Sequence, residues 1–172
     1  DKKYEEAETK LAEVEKIATE YENAEVAERA KELVPQMWMQ KGVDALKLKD
    51  FATAADGFAK SYAIDTTAGR TALLLGQALG AQGKTEEAIE AFQHAAWNGE
   101  EAEAKEQMSN IYVRQANAAL KGQKFADAVK AADKANSYSE NATAYLIAGQ
   151  SSQKLSKNAD AIKYFEKYLE MK

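Results

Sequence analysis

"KGVDALKLKDFATAADGFAKS" (residues 41–61) lies over "LGQALGAQGKTEEAIEAFQHA" (75–95) at an offset of 34. Gly42 falls on Gly76, Ala54 on Ala88 and Phe58 on Phe92. In a helix, an Ala and a Phe four residues apart share one face, so each such pair points into a single seam. A Gly twelve residues before the Ala marks a place where two helices touch closely, leaving room for the Phe beyond to fill the gap. The stretch therefore predicts two antiparallel helices joined by a short turn, repeated.

Two further copies lie downstream. "IYVRQANAALKGQKFADAVKAADKA" (111–135) keeps Tyr112, Ala116, Phe125 and Ala128, with Ala132 in place of the Phe. "AYLIAGQSSQKLSKNADAIKYFEKY" (144–168) keeps Tyr145, Gly149, Ala161 and Phe165, with Tyr168 where a small residue is expected. Ala88 and Ala128 are 40 residues apart. The surplus falls in "NGEEAEAKEQ" (98–107), read as a helix stop at Asn98-Gly99 followed by extra turns on the next helix. Residues 30–54 also match residues 104–128 at an offset of 74, so the body looks like a duplicated two-repeat unit.

The period of 34, the aromatic Trp38 four residues before Gly42 and the A-x-x-x-F pair together resemble the tetratricopeptide repeat family. That resemblance implies an all-α fold, a right-handed superhelical solenoid of helix pairs A and B with about nine helices. It places four repeats at 35–68, 69–108, 109–141 and 142–172 in one continuous solenoid domain. Residues 1–34 would be the second helix of a truncated repeat plus an acidic helical linker. "DKKYEEAETKL" (1–11) matches "QGKTEEAIEAF" (82–92), with Ala7 for Ala88 and Leu11 for Phe92, so Asp1 is expected in an A-to-B turn whose helix A lies upstream. The chain is accordingly expected to be a fragment with both solenoid ends bare. Tyr4, Ala7, Leu11, Val14, Ala18 and Tyr21 form an apolar stripe on one extended helix, packed on the next helix or paired as a coiled coil. Pro35 either starts the next helix A or kinks a continuous one near Val34.

Composition agrees with helix: Pro occurs once, and Ala, Glu, Lys and Leu dominate. Residues 1–34 account for the whole net charge of −5. An acidic chain lacks the positive excess that phosphate backbones need, which argues against nucleic acid. The most apolar stretch, "TALLLGQALGA" (71–81), is shorter than the roughly 18 residues of a membrane span. The start at Asp1, the absence of Cys and the degenerate Ala-rich repeats resemble features of exported bacterial repeat proteins, a periplasmic setting among them.

The family resemblance implies that the A helices line a concave wall that binds a peptide. Counting from each aromatic slot, the first repeat offers Gln36, Met39, Gln40, Val43 and Lys47. The second offers Arg70, Leu73, Leu74, Gln77 and Ala81. The third offers Asn110, Val113, Arg114, Asn117 and Lys121, and the fourth Thr143, Leu146, Ile147, Gln150 and Lys154. No Asp or Glu occurs among these positions. Amides both donate to and accept from a peptide backbone, so an extended peptide with an acidic group or a C-terminal carboxylate is the expected partner. Lys47, Lys121 and Lys154 also suit helix C-termini without any ligand. The family's chaperone-tail carboxylate clamp is not expected: Met39, Val43 and Leu74 occupy its first three slots and Asn110 the fourth, and only Arg114 fits.

Catalytic and metal-binding residues are not expected, nor a cofactor. His94 is the only His and is placed on a solvent-facing helix position, and Cys is absent. Gly76, Gly80 and Gly83 follow no strand and read as packing and turn glycines. Trp97, beside the Asn98-Gly99 stop, is the aromatic expected at the surface. A non-catalytic interaction scaffold is the leading expectation. Self-assembly through the solenoid ends, or an accessory role in a larger enzyme, are the alternatives.

Overall fold

The computed structural model describes residues 2–172, and the described residues form nine α-helices and no strand. They are α1 (Lys2–Glu20), α2 (Ala24–Lys47), α3 (Phe51–Ile64), α4 (Gly69–Ala81), α5 (Thr85–Trp97), α6 (Glu101–Lys121), α7 (Phe125–Tyr138), α8 (Ala142–Lys154) and α9 (Asn158–Glu170). The fold is an all-α helical repeat in which α2, α4, α6 and α8 are A helices, while α3, α5, α7 and α9 are their B partners. The expected A-to-B turn at Asp1 lies outside the described residues.

The turns within the four pairs are built alike. Lys49, Gly83, Gln123 and Ser156 all adopt positive φ, between 57° and 80°. The next residue's N–H then reaches back to close the helix: Asp50 to the Ala45 carbonyl at 3.0 Å, Lys84 to Leu79 at 3.0 Å, Lys124 to Ala119 at 2.9 Å and Lys157 to Ser152 at 2.9 Å. This left-handed residue after a helix satisfies carbonyls that would otherwise be orphaned. Only Gly83 adopts the conformation without steric cost.

The seams follow the repeat. Ala54, Ala88, Ala128 and Ala161 are all buried. A Cβ added to Gly42 would meet the Phe58 ring at 2.5 Å, and one added to Gly76 or Gly149 would meet the Phe92 or Phe165 ring at 2.6 Å. The absence of a side chain there is what lets each ring lie against the backbone of its partner helix. In the third repeat both members of the pair are alanines, Ala116 and Ala132, and both are fully buried.

The described helices fall into two compact units, Asp1–Glu100 and Glu101–Lys172. The division falls between the halves of the 74-residue repeat. In unit 1, α1 packs on α2, α2 on α3, α3 on α4 and α4 on α5. In unit 2, α6 packs on α7, α7 on α8 and α8 on α9, and α6 also meets α8. Gly99, at φ 98°, ends the first unit as the Asn98-Gly99 stop suggested, and α6 carries the extra turns.

Residues 1–34 depart from expectation. They do not form one extended helix: the chain breaks at residues 21–23, and Tyr21 is 81% exposed rather than part of the apolar stripe. Asn23 caps α2 there, its side chain accepting from the Val26 N–H at 3.2 Å. Pro35 therefore does not start a helix; it lies inside α2, and the boundary drawn at 34/35 falls within that helix. A proline in a helix interior leaves the carbonyl four residues back without its N–H, at a cost of about 3 kcal/mol. That carbonyl belongs to Lys31, an exposed residue. The carbonyl of Pro35 itself accepts from the buried Ser61 hydroxyl at 2.8 Å, tying α2 to α3.

Candidate functional site

The A helices present the positions that the repeat count singled out, with two corrections. On α2, Gln36 and Gln40 are exposed while Met39 and Val43 are half-buried. On α4, Arg70 is exposed and Leu74 and Gln77 are half-buried, but Leu73 is fully buried. Leu73 is a core residue of the α4 seam and not a ligand contact. It stands one helical position from Leu74, and the 100° between successive residues carries it from the exposed stripe into the core. On α6, Asn110 and Val113 are half-buried and Arg114 and Asn117 exposed; on α8, Leu146 is half-buried and Gln150 exposed. Ile147, also a counted position, is likewise buried, among the alanines of unit 2, and is a core residue and not a ligand contact.

The second correction concerns charge. Asp44 lies between Val43 and Lys47 on α2, and the count by repeat slots passed over it. Its carboxylate accepts from Gln40 Nε2 at 3.0 Å and from Lys47 Nζ at 2.9 Å. The hydrogen bond from Lys47 and then that from Gln40 hold the Asp44 carboxyl below the usual aspartate range. The α2 stripe is thus partly self-satisfied, with one amide and one base already engaged. On α6 and α8 no acid lies between Asn110 and Lys121 or between Ala142 and Lys154. Arg114 makes no hydrogen bond or ion pair among the described residues, whereas Arg70 has a partner.

A polar cluster that the repeat pattern did not reveal lies where α1, α2 and α3 meet. Lys41 holds the slot that is Leu75 in the next repeat, yet it is only 4% exposed. Its ammonium pairs with Asp56 at 2.9 Å and lies 4.9 Å from the centre of the Trp38 ring. Lys60 reaches the same ring at 4.1 Å and the same carboxylate at 3.4 Å. Partial burial works against the Asp56 charge, but the Lys41 hydrogen bond and the charges of both lysines hold its carboxyl below the ordinary range. Trp38 donates through Nε1 to Glu8 at 3.2 Å and stacks with Tyr4 at 6.2 Å, so α1 is fastened to the tryptophan as well as to its apolar stripe. Its surroundings mark the cluster as packing rather than catalysis: every charge in it is met by an opposite charge or a ring.

His94 is not simply solvent-facing. It is half-buried between Tyr62, at 5.8 Å, and Trp97, at 5.7 Å, while Trp97 is 81% exposed as its position suggested. Lys47, Lys121 and Lys154 occupy last turns of helices. Among the described residues, no group of three or more His, Asp or Glu converges as a metal site, and no helix is long and apolar enough to cross a membrane.

No protein-family model matches the chain, and no curated protein matches its sequence. Solved structures do match. A crystal structure of MamA protein superposes with a TM-score of 0.54 at 21% identity, covering 96% of this chain and 91% of that one. A second MamA crystal structure gives 0.55 at 21% identity, covering 91% and 93%. MamA from Desulfovibrio magneticus RS-1 gives 0.51 at 15% identity, covering 95% and 94%. At these identities the likeness speaks to the fold, and it establishes a tetratricopeptide-like, all-α helical repeat over almost the whole chain.

Proposed function

We propose that this chain is a non-catalytic protein-interaction module of the tetratricopeptide family, which holds a partner segment on the exposed stripes of its A helices. The observation that carries this reading is the face of unit 2. There α6 and α8 pack against each other, and between Asn110 and Lys121 and between Ala142 and Lys154 neither helix carries an acid. The counted positions there include Asn110, Val113, Arg114, Asn117, Leu146 and Gln150, all exposed or half-buried, with Lys121 and Lys154 at the helix ends. Such a surface satisfies a peptide backbone through its amides, takes apolar side chains against Val113 and Leu146, and attracts a carboxylate to Arg114. The α2 and α4 stripes of unit 1 draw on the same kinds of residue, amides, apolar groups and bases, though not slot for slot, and Asp44 engages Gln40 and Lys47. The partner that fits is an extended peptide with apolar side chains and an acidic group or free C-terminal carboxylate.

The test is fluorescence anisotropy with a labelled eight-residue peptide of alternating Leu and Glu that ends in a free carboxylate. The Arg114→Glu variant is expected to bind at least tenfold more weakly, about 1.4 kcal/mol, with unchanged helical circular dichroism. Should the Arg70→Glu/Arg114→Glu double variant keep wild-type affinity, the A-helix face is not the site.

A further inference from the structure

The B helices form a second kind of groove. Between α3 and α5 runs a cleft of about 580 Å³ floored by Ala72, Leu75 and Leu79 of α4. Its walls carry Asp56, Lys84, Glu87 and Glu90, and His94 lines one end with Tyr62. Unit 2 has the equivalent cleft between α7 and α9, about 280 Å³, whose charged residues are Lys130, Asp133, Lys157 and Asp160. That cleft is charge-balanced. The cleft of unit 1 has three acids and one base.

The surplus has a cause in the repeat. Glu90 stands 34 residues after Asp56, and Leu75 stands 34 after Lys41. In the first repeat the wall carboxylate is therefore met from the floor by a buried ammonium at 2.9 Å. In the second repeat the floor offers a Leu side chain instead, and Glu90, which is exposed, has no hydrogen bond or ion pair among the described residues. Glu87 is held by Lys84 at 3.7 Å, and Asp56 by Lys41 and Lys60. One carboxylate beside an apolar floor is left without a cation. The aromatic surface that Trp38 gives to Lys41 and Lys60 has a counterpart here too, since Tyr62 and His94 line the cleft 5.8 Å apart and the exposed Trp97 meets His94 edge-on at 5.7 Å, just beyond the lining. A guanidinium or ammonium over such rings gains cation–π attraction in addition to its ion pair.

We infer that the α3–α5 groove of unit 1 docks a basic segment of a partner protein, which places an Arg or Lys beside Glu90 and apolar side chains on the Ala72–Leu75–Leu79 floor. The incoming cation takes the part in the second repeat that Lys41 plays in the first. The groove is open, with rings at one end and not in a cage, which suits a chain segment and not a lone quaternary amine. Anionic polymers and anionic lipid surfaces meet the unpaired Glu90 carboxylate there and find no free cation among the described residues. This site is on different helix faces from the A-helix stripes and stands or falls apart from them.

The probe is an N-acetylated, C-amidated eight-residue peptide of alternating Arg and Leu, followed by tryptophan emission and by anisotropy of a labelled copy. Trp38 is 1% exposed and Trp97 81%, so an emission change on binding reports Trp97, which packs on the groove residue His94. Wild type is expected to show a saturable blue shift. Glu90→Lys is expected to weaken binding at least tenfold, and Trp97→Phe to abolish the emission change while keeping most of the anisotropy change. Glu166→Lys, an exposed change of equal charge on α9, controls for the overall acidity of the chain and is expected to leave affinity within twofold. Equal losses for Glu90→Lys and Glu166→Lys, an unchanged affinity for Glu90→Lys, or an identical response to the Leu/Glu peptide would each overturn the inference.

Discussion

Unit 1 closes both of its A–B seams with a phenylalanine ring laid on a glycine, whereas unit 2 closes its first seam with one methyl group against another. The two arrangements fill one place in the repeat. Gly42 with Phe58 and Gly76 with Phe92 put all of the volume on helix B; Ala116 with Ala132 split a smaller volume between the helices. The comparison shows that neither residue is chosen alone. The ring requires the bare backbone opposite, and where the ring is lost the glycine is no longer needed and the better helix former takes its place. The smaller filling leaves unit 2 with an alanine-rich core gathered around Ile147. Unit 2 also holds the two buried polar atoms without a hydrogen-bond partner among the described residues, Asn136 Nδ2 and Ser151 Oγ.

The largest effect should come from breaking a unit 1 seam. Phe92→Ala removes a nearly fully buried ring and is expected to cost about 3–5 kcal/mol in urea unfolding. Gly76→Ala places a Cβ at 2.6 Å from that ring; the overpacking should cost about 1–3 kcal/mol, outweighing the roughly 1 kcal/mol of helix propensity gained. The double variant installs the pair found in the third repeat. Its cost should fall short of the summed single costs by at least about 1 kcal/mol. If the two costs simply add, ring and glycine are independent and the contrast between the units has no energetic content.

How much of this was legible beforehand depended on whether a feature repeats. The 34-residue spacing exposed the helix pairs, the buried alanines and the Gly–Phe seams, because those features recur with the same residue types. It concealed what one repeat does alone. Lys41 stands in an apolar slot, and only its proximity to Asp56 and Trp38 in space explains its burial. Three of the four left-handed turn residues, Lys49, Gln123 and Ser156, have no sequence mark, since the glycine that would announce the conformation occurs only at position 83. Pro35 left two readings open, a helix start or a place within a continuous helix, and the Asn23 cap with packing along α2 decides for the second. On the A-helix stripes the slot count located the exposed positions to within one residue, enough to misplace Leu73 and Ile147 and to omit Asp44.

A smaller effect should separate the units by acid. Asp56 has a folded-state carboxyl held below its ordinary range by Lys41 and Lys60 against the opposing effect of burial. A depressed carboxyl contributes stability that is present above the unfolded value, near 4, and is lost as pH falls through the folded value. The corresponding slots of the third repeat hold Gln115 and Lys130, which cannot form this pair. Asp56→Asn is therefore expected to lower the melting temperature at pH 7 and to narrow the gap from wild type as pH is brought from 5 to 3. A variant whose deficit stays constant across that range would show that Asp56 acts through shape and not through its charge.

The smallest effect tests whether the α2 stripe of unit 1 is held back by its own acid. Asp44 engages Gln40 and Lys47, and both partners are exposed, so their release changes little in the fold. Asp44→Asn removes the charge that holds the Lys47 ammonium while keeping the shape, which gives unit 1 a stripe as free of acid as those of α6 and α8. Stability should change by less than about 0.5 kcal/mol. Affinity for the Leu/Glu peptide should rise by a few fold, because one more cation becomes available and one repelling carboxylate is gone. The rise should shrink at high salt, as expected for exposed charges screened over about 10 Å at 0.1 M. An increase that persists at 1 M salt would place the gain in packing; no increase at low salt would mean that the peptide is held by unit 2 alone, with the α2 stripe serving only the stack.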